Sequence, residues 1–353
     1  MIEKKLTVLV PLKDRHDFTK RFIKFIIKFN LKYHFLFADG SNSKLPRECL
    51  NLLKSSKIKF KYIRFKKDKN IKIFFNKLYL ALLQVRTDYV MLFDNDDLPI
   101  QSTINYCLKK LEKNKKLSGC GGYKINFNFF EIIKNKKINN EYYGNPINIS
   151  NIDYGNNYIF HNSTQRLKSY LTKKKSINTI NDVFRSHFLR NNIRTLKKRN
   201  FTYLAFYNVL LDFLNIYNGR VLKINLPFLF HQINSLSFSK KETIYEKISN
   251  KKYLKDKKNF INFVKYNCKS NRYKIIKYLN IYFSKIENRQ SSKNFNKYNL
   301  LDSLKKISFL KNCYQNLKNI YLSFFNKELS NFLKRYDNNS LKLKKIFNFL
   351  KKD

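Results

Sequence analysis

Asp88-Tyr-Val-Met-Leu-Phe-Asp-Asn-Asp-Asp97 is the stretch that decides how this chain folds. Five consecutive apolar residues, 89–93, run directly into the carboxylates of Asp94, Asp96 and Asp97. A short apolar run bounded by polar residues is typical of a strand that is buried on both faces. Acids at the carboxyl end of such a strand lie where open α/β sheets bind ligands. The stretch therefore predicts a ligand site at the end of a central strand.

Three strand-like runs precede this stretch, and amphipathic helical spacing separates them. The predicted strands cover residues 6–12, 33–38, 58–65 and 88–93. The predicted helices cover residues 18–27, 44–53, 70–86 and 99–116. Strand alternating with helix four times predicts an α/β fold with a mostly parallel, doubly wound sheet flanked by helices.

The second half of the chain divides at about residue 239. Residues 118–130 and 221–230 have strand character, and residues 201–218 have the pattern of a helix. From Ser239 onward neither Gly nor Pro occurs, and Lys, Asn and aromatic residues recur at helical spacing. We therefore predict an α/β domain that contains the ligand site over residues 1–238 and a Lys-rich helical region over residues 239–353.

The charge of the chain favours anionic partners but does not identify one. Lys and Arg number 73 against 24 Asp and Glu, for a formal net charge of +49. The accompanying excess of Asn, Ile, Phe and Tyr is typical of AT-rich coding sequence, so the charge alone is weak evidence for nucleic-acid binding. We do not predict nucleic acid as the partner. Peripheral contact of residues 239–353 with an anionic membrane stays open.

Several other site classes find no support in the sequence. The five cysteines are widely spaced without a CxxC pair, and the five histidines show no ligand spacing. We expect structural roles for these histidines. The cysteine pattern favours reduced cysteines and a cytoplasmic protein. No uncharged apolar stretch of about 18 residues occurs, which predicts no transmembrane helix.

Asp94-Asn95-Asp96 is a D-x-D sequence at the predicted strand end. Two carboxylates at this spacing can bind one Mg²⁺ or Mn²⁺, with substrate phosphates supplying further oxygen ligands. An alternative is that Asp96 or Asp97 only caps the helix predicted to begin near Pro99. That alternative accounts for one acid and leaves the others unexplained.

Two further acids follow the first and second predicted strands. Asp14 comes directly after residues 6–12, and Asp39 begins the loop sequence Asp-Gly-Ser-Asn after residues 33–38. Carboxylates at these strand ends can accept hydrogen bonds from a nucleotide's base or ribose. Turn stabilisation by Asp and Ser side chains is the competing explanation.

These segments resemble three successive motifs of family 2 glycosyltransferases, which have the glycosyltransferase A fold. The motifs are L-T-V-L-V-P-L-K-D-R at 6–15, F-A-D-G-S-N at 37–42 and Y-V-M-L-F-D-N-D-D at 89–97. Lys13 and Asp14 depart from the aromatic residue and Asn usual in the first motif. The resemblance extends over about residues 1–235 and is sharp only over the first 100.

The resemblance implies transfer of a sugar from a nucleotide-sugar donor, a UDP-sugar first, to a hydroxyl of a glycan or lipid-linked acceptor, as in cell-surface polysaccharide synthesis. Asp94 and Asp96 would hold Mn²⁺ or Mg²⁺ with the diphosphate. The remaining donor-side residues it implies are Asp14, Arg15, Asp39, Asn95 and Asp97. Family members generally invert configuration with a carboxylate base. Asp212, Asp182 and Asp153 are the available acids in the second half of the domain, and Asp212 is our first choice, followed by Asp182.

Two other functions stay open at this point. A sugar nucleotidyltransferase has a similar sheet but needs a Gly-rich loop after its first strand, and residues 12–16 contain no Gly. A protein that binds nucleic acid or membrane through its charge would be indifferent to replacement of Asp94 and Asp96. It would also show steep salt dependence of binding.

Overall fold

A computed structural model describes residues 2–129, 142–143, 147–172, 178–233, 250–268, 271–299, 343, 345–346 and 348–350. The strands in this part of the chain are β1 (Leu6–Leu12), β2 (His34–Asp39), β3 (Lys59–Arg64), β4 (Tyr89–Leu92), β5 (Leu98–Pro99), β6 (Leu117–Phe129), β7 (Ile147–Asp153), β8 (Val183–Arg185) and β9 (Arg220–Gln232). The α-helices are α1 (His16–Lys28), α2 (Arg47–Lys54), α3 (Ile71–Leu83), α4 (Gln101–Lys113), α5 (Ser163–Thr172), α6 (Ser186–Lys197), α7 (Leu204–Asn218), α8 (Lys251–Asn267) and α9 (Arg272–Asn299).

The strands form one mixed sheet in the order β3-β2-β1-β4-β8-β6-β9-β5, with β7 paired to β6. The first four strands of this order are mutually parallel, as predicted. Beyond them β8 is antiparallel to both β4 and β6, whereas β6 and β9 are parallel. The predicted α/β class with a sheet flanked by helices is confirmed.

Residues 183–197 form β8 and α6, where the sequence patterns predict no element. Strand β8 has only three residues, which is too short to produce a two-residue period. It nevertheless joins the two halves of the sheet, because Val90 pairs with Phe184 and Cys120 pairs with Val183. The antiparallel part of the sheet thus depends on a strand without a sequence signal.

Strand β4 is buried on both faces, as its apolar sequence predicts. Met91 packs with the side chains of α1 and α4, whereas Val90 packs on the opposite face with those of α3, α6 and α7. Both side chains are fully buried. Burial of each stabilises the fold by about 1.5–3 kcal/mol.

The parallel register brings the loops after β1, β2 and β4 to one edge of the sheet. Leu9 pairs with Leu92, and Leu12 pairs with Asp39. The N–H of Phe93 extends the β4 pairing by donating to the carbonyl of Leu9 at 3.0 Å. Helix α3 also begins at this edge, where Asn70 Oδ1 caps it by accepting from the N–H of Ile73 at 2.9 Å.

Helices α8 and α9 pack behind α5 and α7. Tyr253 and Phe260 of α8 are fully buried in the same apolar cluster as Phe206 and Phe213 of α7. The buried carboxylate of Asp256 accepts from the backbone N–H groups at the start of α7. The predicted boundary at residues 238–239 lies outside the described residues, so the two-region division stays a prediction.

Candidate active site

A cavity of about 460 Å³ opens at the carboxyl ends of β1 and β4. Its polar wall comes from the loops after these strands, from β6 and from β9. Its apolar wall comes from α3 and α7, through Phe74, Phe75, Leu204 and Leu211. The side chains discussed below that line it are Lys13, Arg15, Asp68, Asp94, Asn95, Asp96, Lys124, Asn178, Asn181 and His231. The sheet edge predicted to bind a ligand is therefore concave.

Asp94 is the acid most open to this cavity. Its side chain is exposed, and no described donor hydrogen bonds to its carboxylate. Protein atoms around the cavity partly desolvate the carboxylate, and this desolvation, with the charges of Asp97 and Asp96, raises its pKa to about 6. Such a carboxylate favours a cationic ligand.

Asp96 lies beside Asp94 and is paired within the chain. Its Oδ2 is 2.9 Å from Arg15 Nη2, and its side chain is about 6% exposed. The Arg15 guanidinium also stacks over the Phe18 ring, 4.3 Å from its centroid. The two acids of the D-x-D sequence thus differ, because one is balanced by an arginine and the other is not balanced by a described cation.

Asn95 fixes the turn between the two acids. Its Nδ2 donates to Thr19 Oγ1 at 2.9 Å and to the Arg15 carbonyl at 3.2 Å. The buried Arg21 side chain adds a hydrogen bond to the Asp96 carbonyl at 2.7 Å. The amide of Asn95 is therefore committed to α1, and its contribution to a ligand site is the position of the turn.

Asp97 is fully buried and connects the turn to β9. Its Oδ1 is 2.8 Å from His231 Nδ1, and the Asp97 carboxylate raises the pKa of this histidine. His231 itself lines the cavity. No spacing pattern marks this histidine in the sequence, because its partner lies 134 positions away.

Asp39 lies at the end of β2 with its carboxylate enclosed by donors of the chain. Ser41 N–H donates to Oδ1 at 2.8 Å, and both Tyr62 Oη and Arg64 Nη1 contact Oδ2, at 2.5 and 2.8 Å. Burial raises the pKa of Asp39, but these hydrogen bonds outweigh it and lower the pKa overall. Asp39 is not among the residues that line the cavity.

Asp14 is exposed at the loop after β1 and also lies outside the cavity lining. Its φ of 49° is in the left-handed region, which Asp tolerates better than most residues. Its carboxylate accepts from the N–H and Nδ2 of Asn42 at 2.6 and 2.7 Å. Asp14 and Asp39 thus connect the loops after β1 and β2.

The two candidate bases lie behind the cavity wall rather than on it. Asp182 Oδ1 pairs with Lys223 Nζ at 2.6 Å, and both side chains are about 2% exposed. No described group hydrogen bonds to Asp182 Oδ2. The neighbouring residues Ile180 and Asn181 line the cavity.

Both carboxylate oxygens of Asp212 accept hydrogen bonds, unlike those of Asp182. Its Oδ1 accepts from the N–H and hydroxyl of Thr179, and its Oδ2 accepts from Tyr170 Oη at 3.2 Å. Burial raises the pKa of Asp212 to about 6, against the lowering effect of these hydrogen bonds. Asp212 is not among the cavity-lining residues.

Three cationic side chains face the acids in the cavity, namely Lys13, Arg15 and Lys124. Lys13 Nζ donates to the carbonyl of Asp68 at 2.7 Å. Lys124 lies on β6, and its position opposite the acids follows from the pairing of β6 with β8 and β9. In a sequence with 73 basic residues, no local pattern distinguishes Lys13 or Lys124 from the others.

Comparison with known proteins identifies the same family as the sequence motifs. Residues 7–174 match the family model described as glycosyl transferase family 2. No sequence among the curated proteins matches the chain significantly. The resemblance to family 2 glycosyltransferases is thus confirmed over this range.

Solved structures resemble the fold at low sequence identity. The structure of S. aureus TarS 1–349 in complex with UDP-GlcNAc has a TM-score of 0.52 at 9% identity, covering 84% of this chain and 77% of that chain. A second S. aureus TarS structure has a TM-score of 0.50 at 10% identity, covering 85% of this chain and 46% of that chain. The chain thus spans less than half of the longer TarS chain. At this identity the structural similarity shows a shared fold, the glycosyltransferase A fold.

Proposed function

We propose that this chain is a glycosyltransferase that moves a sugar from a nucleotide-sugar donor to a hydroxyl acceptor. The observation that carries the proposal is the cavity at the carboxyl ends of β1 and β4, two strands that lie almost entirely inside the range that matches the family model. Its acids and cations are the groups that a sugar diphosphate requires. Ligands of open α/β sheets bind at this edge.

A UDP-sugar is the first donor to test. The resemblance in fold to TarS, which was crystallised with UDP-GlcNAc, supports this choice. The diphosphate would lie against Lys13, Arg15 and Lys124, because phosphate oxygens favour ammonium and guanidinium donors. Asp14, Asp39, Asn95 and Asp97 would then shape the site through the loops that they fix. Direct contact of Asp14 or Asp39 with the nucleoside, which the family resemblance implies, requires their present hydrogen bonds to open.

Asp94 and Asp96 fit a hard divalent cation, Mn²⁺ or Mg²⁺, that binds together with the donor. In the described part of the chain no three His, Cys, Asp or Glu side chains are grouped to hold a metal by themselves. Mg²⁺ commonly binds through one or two carboxylates and takes its other ligands from phosphates and water. When bound, such a cation neutralises negative charge on the departing diphosphate. Asp94 would be the leading ligand, because Asp96 is paired with Arg15.

Asp182 is our preferred base over Asp212. An inverting transfer needs a carboxylate oxygen that can take the acceptor's proton. Asp182 has one such oxygen without a described hydrogen-bond partner, next to cavity-lining Asn181, whereas Thr179 and Tyr170 engage both oxygens of Asp212. Contact between Asp182 and the acceptor requires the loop before β8 to move, because Asp182 is buried behind the cavity wall.

The walls of the cavity and the exposed lysines of α8 bear on the acceptor and on the location of the protein. A glycan or lipid-linked hydroxyl acceptor fits a cavity with one polar and one apolar wall. Exposed lysines on α8, such as Lys251, Lys255 and Lys258, favour peripheral contact with an anionic membrane at its cytoplasmic face. None of the helices in the described ranges combines the length and the apolar character that a membrane span needs.

Isothermal titration of UDP and GDP, with and without Mn²⁺, tests this proposal. We expect one nucleotide to bind the unaltered protein more tightly with Mn²⁺, and Asp94→Asn to lose the metal-dependent part. Asp88→Asn is the matched control, because Asp88 is exposed at the opposite end of β4 and should bind like the unaltered protein. Absence of nucleotide binding under every metal condition would overturn the proposal and favour a charge-driven surface binder.

A further inference from the structure

Three lysines have buried side chains in the described part of the chain, namely Lys77, Lys124 and Lys223. A buried ammonium is costly unless an opposite charge compensates it. Two of the three follow this rule. Lys77 pairs with the Asp68 carboxylate, and Lys223 pairs with that of Asp182.

Lys124 is the exception. Its residue is about 5% exposed, and its Nζ donates to Asn178 Oδ1 at 2.6 Å and to Asn181 Oδ1 at 2.5 Å. Both partners are neutral amides. No described carboxylate lies within ion-pair distance of this ammonium, although Asp97, Asp182 and Asp94 act on it from farther away. Burial lowers the pKa of Lys124.

Lys124, Asn178 and Asn181 all line the cavity. Two amide oxygens orient the ammonium without forming an ion pair with it, and this arrangement is suited to binding an anion. An ammonium donates three hydrogen bonds, and the two asparagines accept two of them. The third donor and the charge are available to an anion in the cavity.

We propose that Lys124 binds the terminal phosphate of the nucleoside diphosphate and stabilises it as the leaving group. This inference rests on the proposed function and adds a catalytic residue to it. The acceptor oxygen bonds to the anomeric carbon while the bond from that carbon to the phosphate oxygen breaks. The electron pair leaves with the diphosphate beside Lys124, and the acceptor's proton passes to the base.

The same three residues connect the leaving-group side of the site to the base. Asn178 and Asn181 belong to the loop that precedes β8 and carries Asp182. Asn181 Nδ2 also donates to the Leu92 carbonyl at the end of β4, at 3.3 Å. An anion that draws Lys124 forward acts directly on this loop, so donor binding and placement of the base are linked.

Titration of UDP, UMP and uridine into Lys124 variants tests the proposal. Lys124→Gln removes the charge and retains hydrogen bonding to the asparagines, Lys124→Met removes both, and Lys124→Arg keeps the charge. We expect the first two to bind UDP about 10- to 100-fold more weakly, the range for loss of a charge-assisted hydrogen bond. Their affinity for uridine should be unchanged, and Lys124→Arg should retain most of the preference for UDP.

Lys274→Met is the matched control, since Lys274 is exposed on α9 and outside the cavity lining. An unchanged ratio of UDP to uridine affinity in Lys124→Gln would overturn the inference while leaving the proposed function intact. Equal loss for UDP and uridine would also overturn it, because it would show a structural role. Failure of the unaltered protein to bind any nucleoside diphosphate would instead remove the proposed function itself.

Discussion

Asp212 on α7 accepts two hydrogen bonds from one residue, the N–H of Thr179 at 2.6 Å and the hydroxyl of the same Thr179 at 2.7 Å. This contact anchors the loop before β8, which carries both Asn181 and Asp182, to the helix that forms part of the apolar wall of the cavity. The carboxylate is buried together with this loop. The arrangement gives Asp212 a positioning role that does not require contact with substrate.

The raised pKa of Asp212 predicts a pH-dependent stability difference. Folding raises the pKa from the usual value of 3.8 to about 6, so the folded state holds this proton more tightly than the unfolded chain. The stability associated with this proton is present below pH 4 and is lost as pH rises through 6. Between pH 4.5 and 7.5, Asp212→Asn should gain about 1–3 kcal/mol relative to the unaltered protein. Urea unfolding at the two pH values measures this change, and a constant difference would contradict it.

Substitution of Asp182 and substitution of Asp212 should have different effects on the rate of turnover. If Asp182 is the base, Asp182→Asn should lower the rate of UDP release from UDP-sugar by about 10²–10⁴-fold, with UDP affinity retained. Asp212→Asn should retain most of that rate. Because Asp182→Asn strands the buried Lys223, the Asp182→Asn/Lys223→Met variant serves as its stability control. If Asp182→Asn releases UDP from UDP-sugar as fast as Asp212→Asn does, Asp182 is not the base.

Gly40→Ala should destabilise the edge of the sheet that borders the cavity. A Cβ at position 40 would lie 2.5 Å from Cγ of Asp68, whose carboxylate is paired with Lys77. Displacing this buried ion pair should cost about 1–3 kcal/mol of unfolding free energy. Lys44→Ala, at an exposed position of the same loop, is the matched control and should unfold like the unaltered protein. A melting temperature of Gly40→Ala equal to that of the unaltered protein would show that the pair moves without cost.

Removal of residues 239–353 should yield an unstable domain. The rings of Phe206 and Tyr253 lie 5.4 Å apart, and those of Phe213 and Phe260 lie 5.7 Å apart, so α8 covers a face of α7 that is apolar. Asp256 also accepts from the N–H groups of Thr202 and Tyr203, at 2.8 and 3.0 Å, where α7 begins. Thermal unfolding and gel filtration of residues 1–238 test this. A soluble, cooperatively folded fragment that binds UDP would show two independent domains.

The parallel half of the fold could be predicted because each of its parts has a local signal. The apolar residues 89–93 and the acids after them show both the buried strand and its functional end. The loops after β1 and β2 likewise follow apolar strand sequences and carry an acid, Asp14 or Asp39. Pairing between neighbouring parallel strands then brings their ends together without further information.

The remaining part of the site depends on long-range pairing that leaves no local pattern. Lys124 pairs with Leu229, and Asn126 pairs with His231, about 100 positions later in the chain. These contacts place a lysine and a histidine opposite Asp94. Likewise, only the folded structure shows that Arg64 and Tyr62 enclose the carboxylate of Asp39, whereas the carboxylate of Asp94 stays open.

The packing of α8 and α9 behind α7 also has a consequence for the order in which the protein matures on the ribosome. The sheet is complete in sequence once β9 ends at Gln232, yet α7, which forms one wall of the cavity, is still uncovered at that point. Its cover extends to Ile286 on α9. At about 5–20 residues per second, several seconds of synthesis separate the two events. During that interval the nascent chain exposes an apolar helix face, so we expect it to need protection from aggregation before the cavity is complete.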